Sequence, residues 1–195
     1  MFLKTIGEDH ATGEIAEIYA GEKSKFGFVM SATACWTTRP DMLPVWEDFF
    51  AKVKANFTLS MRDWRLITFI VAKKVPSAYC SMVYAGLLQD DLGSKDKVMA
   101  VHKDFHAAGL DERDVAMLDF AEKIAIDASK VTHIDIDGLR AAGFSDPQIS
   151  DIALCAALRC FMSRFYDATG ATPEPAFIDD DPEVASALAV GRQPN

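Results

Sequence analysis

Cys80 is the residue best placed to do chemistry in this 195-residue sequence, and Ser77 and Tyr84 accompany it at helical spacing. Pro76 biases the residue before it away from helical dihedrals, so a helix should begin at Pro76 or Ser77. With Ser77 as the N-cap, Cys80 is the third helical residue, where free N–H groups and the helix dipole favour a thiolate. Spacings of three and four residues then place Ser77, Cys80 and Tyr84 on one helix face.

A packing role is the alternative for Cys80. Cysteine in an apolar helix is more often a small buried hydrophobic residue than a nucleophile. The remaining cysteines, at 35, 155 and 160, show no pattern typical of a secreted disulfide framework. We predict reduced thiols, and the residues alone leave both roles of Cys80 open.

His102 and His106 form a second candidate site, because one helical turn separates them and two ligands of one metal ion can have that spacing. The motif lacks a glutamate after the first histidine, and no third ligand is evident. An exposed polar helix face is therefore the preferred interpretation, and we predict neither a metal nor another cofactor.

Two consecutive helices, at about residues 61–75 and 77–89, must position Cys80. Ser60 followed by Asp63 resembles a capping box. The apolar run at 66–71 is compatible with a buried strand, but the cap before it and its length favour a buried helix.

The rest of the chain also predicts helices, since no useful strand-like alternation occurs. We predict an all-α single domain spanning residues 1–195, with about six to eight helices and with residues 171–195 as a C-terminal tail. That tail is expected either to fray or to pack on a partner subunit. The predicted core includes Leu66, Ile70, Phe120 and Leu154.

Composition and net charge argue against two classes of binding partner. Half of the residues are apolar and the formal net charge is −9, which argues against a nucleic-acid backbone or an anionic membrane as the main partner. The first residues lack the apolar core of a signal peptide, and no apolar run approaches the roughly 18 to 20 residues needed to span a bilayer. We expect a cytoplasmic protein.

Four segments resemble the alkylhydroperoxidase D and carboxymuconolactone decarboxylase family, particularly its peroxidase-related branch. They are SAYC at 77–80, MLDFAEKI at 117–124, VTHIDIDGLRAAGFSDPQISDIAL at 131–154 and ATGEIAEIY at 11–19. The resemblance extends from about residue 7 to residue 171. It implies an all-α multi-helix bundle and a homo-oligomer assembled through helical hairpins.

The resemblance also implies four catalytic positions, and three of them carry a different residue in this sequence. In the peroxidase members a Glu precedes a Cys-x-x-Cys, and a His follows one turn after the second Cys. The Glu position falls on Arg65, the first Cys on Ser77 and the His on Tyr84, whereas the second Cys is kept at Cys80. The resemblance therefore predicts the fold better than the activity.

Three functions follow as hypotheses. The first is a one-cysteine thiol peroxidase, a peroxiredoxin-type antioxidant oxidoreductase, in which Cys80 reduces a small hydroperoxide with help from an external thiol. The second is a non-redox helical oligomer that binds a small anionic ligand at Arg65 and Tyr84. The third is a decarboxylase-like enzyme, ranked last because no residue indicates a lactone or carboxylate substrate.

Arg65 is the predicted electrostatic partner of Cys80. If the two central helices pack as in the family, Arg65 projects towards the start of the helix that carries Cys80. A guanidinium there would favour the thiolate or an anionic ligand, provided that solvent reaches the sulfur.

Overall fold

The computed structural model describes residues 1–192, and within them it contains helices and no strands. The α-helices are α1 (Gly13–Phe26), α2 (Ser31–Trp36), α3 (Leu43–Ala55), α4 (Met61–Lys74), α5 (Ala78–Leu92), α6 (Lys95–Lys103), α7 (Glu112–Asp127), α8 (His133–Ala141), α9 (Asp146–Thr169) and α10 (Pro182–Leu188). Short 3-10 turns occur at Glu8–His10, Ala128–Lys130 and Pro175–Phe177. The all-α prediction is confirmed. The ten α-helices of the described residues exceed the predicted six to eight because the short segments α2 and α10 are both helical.

Helix α4 is the central element and packs against α5, α7 and α9. Its N-terminus carries the predicted capping box, in which the Ser60 hydroxyl accepts from the Asp63 N–H and the Asp63 carboxylate accepts from the Ser60 N–H. Leu66 and Ile70 are buried in the core as predicted. A helix that is apolar nearly all round requires neighbours on several sides, and α4 has them.

The break between α4 and α5 arises at Pro76, as the sequence predicts. Ser77 has an extended backbone (φ −116°, ψ 106°), and its hydroxyl oxygen accepts a hydrogen bond from the Cys80 N–H at 3.5 Å. This cap fixes the first turn of α5, and Gly93 ends the helix in the left-handed conformation with a φ of +82°. Cys80 therefore has the position at the helix start that its spacing predicts.

Helix α9 begins at a capping box between Ser145 and Gln148 and contacts α4, α5 and α7. Its buried residues form one side of the helix and are Ile149, Ile152, Cys155, Ala156, Arg159, Met162, Ser163, Tyr166 and Thr169. The prediction that Leu154 is in the core is wrong, because 40% of its surface is exposed. Leu154 follows Ile152 by two residues, which turns it to the opposite side of the helix. Phe120 on α7 is buried as predicted.

The segment after Gly170 folds back onto the same chain instead of fraying. Helix α10 packs on α5, and Leu188 is buried. The Arg192 guanidinium donates to the carbonyls of Asp167 and Ala171, each at 3.0 Å. The predicted tail is thus packed as far as residue 192, and its last three residues lie outside the described part of the chain. In residues 1–192, no helix combines the length and apolarity needed to cross a membrane.

Candidate functional site

Cys80 lies in the first turn of α5, and only 1% of its surface is exposed. The cap residue Ser77 is fully buried, and its hydroxyl lies near the Asp167 carboxyl of α9, where it opposes the rise in the pKa of that carboxyl that burial causes. The start of α5 therefore packs directly on α9. Cys80 lines neither the cavity beside Ile70 and Phe105 nor the cavity beside Met82 and Phe177. Because only 1% of its surface is exposed, a substrate can reach the sulfur only if the packing opens locally.

Arg159 of α9 contacts Cys80 from across this interface. Its Nη1 lies 3.2 Å from the Cys80 sulfur, and its Nη2 donates to the Tyr84 hydroxyl at 2.8 Å. The guanidinium carbon also lies 4.7 Å from the centre of the Tyr84 ring. One guanidinium thus joins the thiol and the phenol, which are one helical turn apart on α5.

The charge of Arg159 is buried, since only 2% of the residue is exposed. Burial opposes this charge, but Tyr84 and Cys80 favour it strongly enough to hold the pKa of Arg159 above its ordinary value. No carboxylate in residues 1–192 forms an ion pair with Arg159. Buried charges are normally compensated by a charge of opposite sign. The Cys80 sulfur and the Tyr84 hydroxyl are the groups that contact this charge.

Two further buried tyrosines, Tyr79 and Tyr166, lie near Cys80 and Arg159. The rings of Tyr79 and Tyr166 meet edge to face with 5.7 Å between their centres, and the Tyr79 hydroxyl accepts from the Ala32 N–H at 3.3 Å. Burial raises the pKa of both tyrosines well above the ordinary value, although Arg159 opposes this at Tyr166. Both phenols therefore stay neutral and do not provide the anion that Arg159 needs.

The prediction that Arg65 projects towards Cys80 is wrong. Its guanidinium is paired with Asp91 at 2.7 Å, near the other end of α5, and a third of the side chain is exposed. Tyr84 is bonded to Arg159 instead. Of the four predicted site residues, Cys80, Ser77 and Tyr84 share the α5–α9 interface, while Arg65 belongs to a surface ion pair.

The two histidines do not form an exposed polar helix face. Helix α6 ends at Lys103, so only His102 is helical. His102 is buried and its ring packs on Phe69; burial, with a contribution from Lys73, lowers its pKa to about 4. His106 is exposed and hydrogen-bonds the Asp119 carboxylate at 2.7 Å. The described residues contain no cluster of three or more His, Cys, Asp or Glu suited to a metal ion.

Arg159 was missed by the sequence reasoning although it carries a detectable signal. It stands alone as a charged residue in the apolar run ALCAALRCFM, at residues 153–162. Its spacing from Cys155 and Met162 is typical of the buried side of α9. A charged residue on a buried helix face requires a partner, and this requirement makes such an arginine a candidate site residue.

No family model and no curated protein matches the sequence. The chain is, however, similar to several solved structures. An uncharacterized peroxidase-related protein from Silicibacter sp. TM1040 is similar with a TM-score of 0.80 and 20% identity over 91% of each chain. An uncharacterized peroxidase-related protein from Ralstonia eutropha JMP134, described as an alkylhydroperoxidase AhpD core, gives a TM-score of 0.78 and 22% identity over 98% of this chain and 97% of its own.

A third similar structure is the debrominase Bmp8, in a variant with one cysteine replaced by alanine and in complex with 2,3,4-tribromopyrrole. Its TM-score is 0.78, with 17% identity over 96% of this chain and 97% of its own. At such identities the similarity concerns the fold, and it extends over nearly the whole length of each protein. This chain therefore has the all-α fold of the alkylhydroperoxidase AhpD core.

Proposed function

We propose that the protein is a one-cysteine, thiol-dependent oxidoreductase of the peroxidase-related type, with Cys80 as its nucleophile. The observation that carries the proposal is the 3.2 Å contact between Cys80 and the buried Arg159. A thiolate is the nucleophilic form of cysteine, and an adjacent cation favours it. The resemblance to peroxidase-related proteins supports the same class of reaction.

Ser77 determines how the proposed cycle must end. A sulfenic acid at Cys80 has no cysteine three residues earlier with which to form a disulfide. The other cysteines, at 35, 155 and 160, are free thiols on other helices. Regeneration therefore requires two equivalents of an external small thiol, which first forms a mixed disulfide with release of water and then reduces it. A reducing compartment such as the cytoplasm would supply this thiol.

The test is the reaction of the purified protein with an organic hydroperoxide, followed by trapping of the sulfenic acid with dimedone and mass spectrometry. We expect dimedone addition at Cys80 and hydroperoxide consumption that is lost in Cys80→Ser. Cys155→Ser is the matched control, since it alters a second buried cysteine, and it should retain the reaction. Addition at other cysteines, or no addition to the intact protein, would contradict the proposal.

A debrominase among the similar structures provides a second candidate reaction. A thiolate beside an arginine could also attack a bromine of an electron-rich ring, which forms a sulfur–bromine bond and breaks the carbon–bromine bond. The electron pair stays on the ring carbon, which takes up a proton from water, and an external thiol then displaces bromide from the sulfur to give a mixed disulfide. Release of bromide from 2,3,4-tribromopyrrole in the presence of a thiol, dependent on Cys80, would favour this reaction over hydroperoxide reduction. The non-redox alternative is weaker, because Arg65 and Tyr84 have separate partners.

We further propose a homo-oligomer, in agreement with the resemblance. Phe49 on α3 and Phe161 on α9 are 45% and 47% exposed, and Leu154 adds to the apolar surface of α9. The Trp46 ring contacts both phenylalanine rings, with centre distances of 6.1 and 5.7 Å, so the aromatic surface is continuous from α3 to α9. Such surfaces mark protein interfaces. Light scattering at micromolar concentration tests this, and a monomer would contradict it.

A further inference from the structure

A cavity of about 130 Å³ lies between the end of α4, the end of α6 and helix α7, and Cys80 is not among its lining residues. Its apolar wall includes the buried side chains of Ile70 and Phe105. The cavity has room for several water molecules, and therefore for an organic molecule of a few non-hydrogen atoms. The lysines and carboxylates that line it are Lys73, Lys74, Lys103, Asp104 and Glu122.

Lys73 differs from its neighbours in the kind of partner that it has. Its Nζ donates to the backbone carbonyls of His102 and Lys103, the second at 3.4 Å. No carboxylate in residues 1–192 forms an ion pair with it, whereas the next residue, Lys74, is paired with Glu122. Hydrogen bonds to carbonyls do not require a charge on the nitrogen. The two carbonyls match the two N–H groups of a neutral amine, whose lone pair then stays available to attack an electrophile.

The surroundings of Lys73 oppose its charged form. Burial and, to a smaller extent, the charge of Lys74 lower the pKa of Lys73 below its ordinary value, although the Glu122 and Asp104 carboxylates oppose this change. His102 also lines the cavity and is uncharged at neutral pH, because burial lowers its pKa to about 4. Desolvation and an adjacent cation are the two conditions that activate a lysine as a nucleophile.

We propose that Lys73 is a covalent binding site for small uncharged aldehydes, which the cavity beside it holds. With Lys73 as the amine, the two other lysines and the two carboxylates of the lining balance, so an uncharged molecule fits better than an ion. His106, which also lines the cavity, has its own partner in Asp119. The inference involves no chemistry of Cys80 and is therefore independent of the proposed function.

The reaction is the formation of an imine. The lone pair of the Lys73 nitrogen forms a bond to the carbonyl carbon, and the π electron pair of the C=O bond moves to the oxygen. A proton then passes from the nitrogen to the oxygen through water, which gives a carbinolamine. Loss of water leaves a C=N bond in place of the C=O bond. Nothing is oxidised or reduced, so the step requires no further reactant.

The experiment treats the protein with propanal and cyanoborohydride at neutral pH, where the reagent reduces the imine to a stable secondary amine. Peptide mass spectrometry then gives the initial labelling rate of each lysine. Lys97 is the internal reference, because its Nζ also donates to two backbone carbonyls, those of Ala108 and Gly109, while it lines neither cavity. We expect Lys73 to react severalfold faster than Lys97. With naphthaldehyde, which is too large for the cavity, this preference should disappear.

Lys74→Gln should lower the rate at Lys73 severalfold, since it removes the neighbouring charge and leaves Glu122 free to pair with Lys73. Lys103→Gln is the matched control, because it removes an exposed lysine of the same lining, and it should leave the rate unchanged. Equal rates at Lys73 and Lys97 with propanal would overturn the proposal. The same preference with both aldehydes, or an unchanged rate in Lys74→Gln, would overturn it as well.

Discussion

Cys80 and Cys155 are both buried on helices that meet in the core, yet their surroundings differ in one respect. The Cys155 sulfur has weak neutral neighbours, the Trp64 carbonyl at 3.8 Å and the Thr68 hydroxyl at 4.0 Å. Burial raises its pKa to about 12, and Arg159, one turn later on the same helix, offsets only part of this. The Cys80 sulfur has the guanidinium itself at 3.2 Å.

The difference shows that burial alone does not decide what a cysteine can do. The two sulfurs are equally buried. Their surroundings differ because the Arg159 side chain points towards Cys80 and not towards Cys155. Arg159 turns away from its own helical neighbour and across to α5, where Tyr84 holds its other nitrogen. The hypothesis is that Cys80 is reactive and that Cys155 is a packing residue.

The largest expected effect comes from Arg159→Met, which removes the charge and its hydrogen-bond donors but keeps an unbranched apolar stem. At an effective dielectric constant of about 20, a charge pair near 4 Å is worth roughly 4 kcal/mol. Each 1.4 kcal/mol corresponds to about a tenfold change in rate. The rate of Cys80 alkylation and of its oxidation should therefore fall roughly 100- to 1,000-fold at pH 7.

Arg65→Met is the matched control for this change. It also removes an arginine, but one that is a third exposed and is paired with Asp91 near the other end of α5, away from the Cys80 sulfur. We expect less than about a threefold change in the Cys80 rate. A large loss in Arg65→Met, or none in Arg159→Met, would reverse the assignment of the two arginines.

The next largest effect concerns the stability contributed by Cys155. Its thiol stays protonated in the folded state up to about pH 12, whereas the unfolded thiol ionises near pH 9. This contribution is complete below pH 9 and is lost as the pH rises from 9 to 12. At pH 10.5 the parent should have lost about 2 kcal/mol more of its free energy of unfolding than Cys155→Ala. Urea unfolding at pH 8 and 10.5 measures this, and the tyrosines cancel because both proteins contain them. Parallel losses would show that Cys155 is not a neutral packing thiol.

A smaller effect is expected for Tyr84→Phe, which keeps the ring under the guanidinium and removes the hydroxyl that accepts from Nη2. A buried donor without a partner costs about 1 to 3 kcal/mol. The protein should lose stability by that amount, and the Cys80 rate should change by about tenfold at most. Chemical denaturation and iodoacetamide kinetics give the two values. Unchanged stability would mean that the Tyr84 hydroxyl does not hold Arg159 in place.

The smallest effect on the site is expected for Ser77→Cys, which creates the Cys-x-x-Cys spacing at the start of α5. After oxidation of Cys80, the new cysteine should form a disulfide, and turnover with a dithiol should increase severalfold. Loss of the hydroxyl that caps α5 should cost about 1 kcal/mol. Non-reducing peptide mapping detects the disulfide. Its absence in a variant that still forms the sulfenic acid would mean that the helix start cannot bring the two sulfurs together.

Local signals account for the parts of the fold that were predicted. The Ser60 capping box, the break at Pro76 and the Ser145 cap each fix a helix start through hydrogen bonds within a few residues. The position of Leu154 was not predictable in this way. A mainly apolar helix such as α9 can turn either of two sides inward, and only the positions of α4 and α7 decide between them.

Local sequence is enough to predict that Ser77 caps the start of α5 and that Cys80 lies in its first turn, because capping and the restrictions imposed by proline act on neighbouring residues. The partner of Cys80 was decided by tertiary structure. Arg65 and Arg159 lie 15 residues before and 79 residues after Cys80. Nothing in either spacing determines which guanidinium reaches the sulfur. The antiparallel packing of α9 on α5 brings Arg159 within 3.2 Å, while Asp91 holds Arg65 near the opposite end of α5.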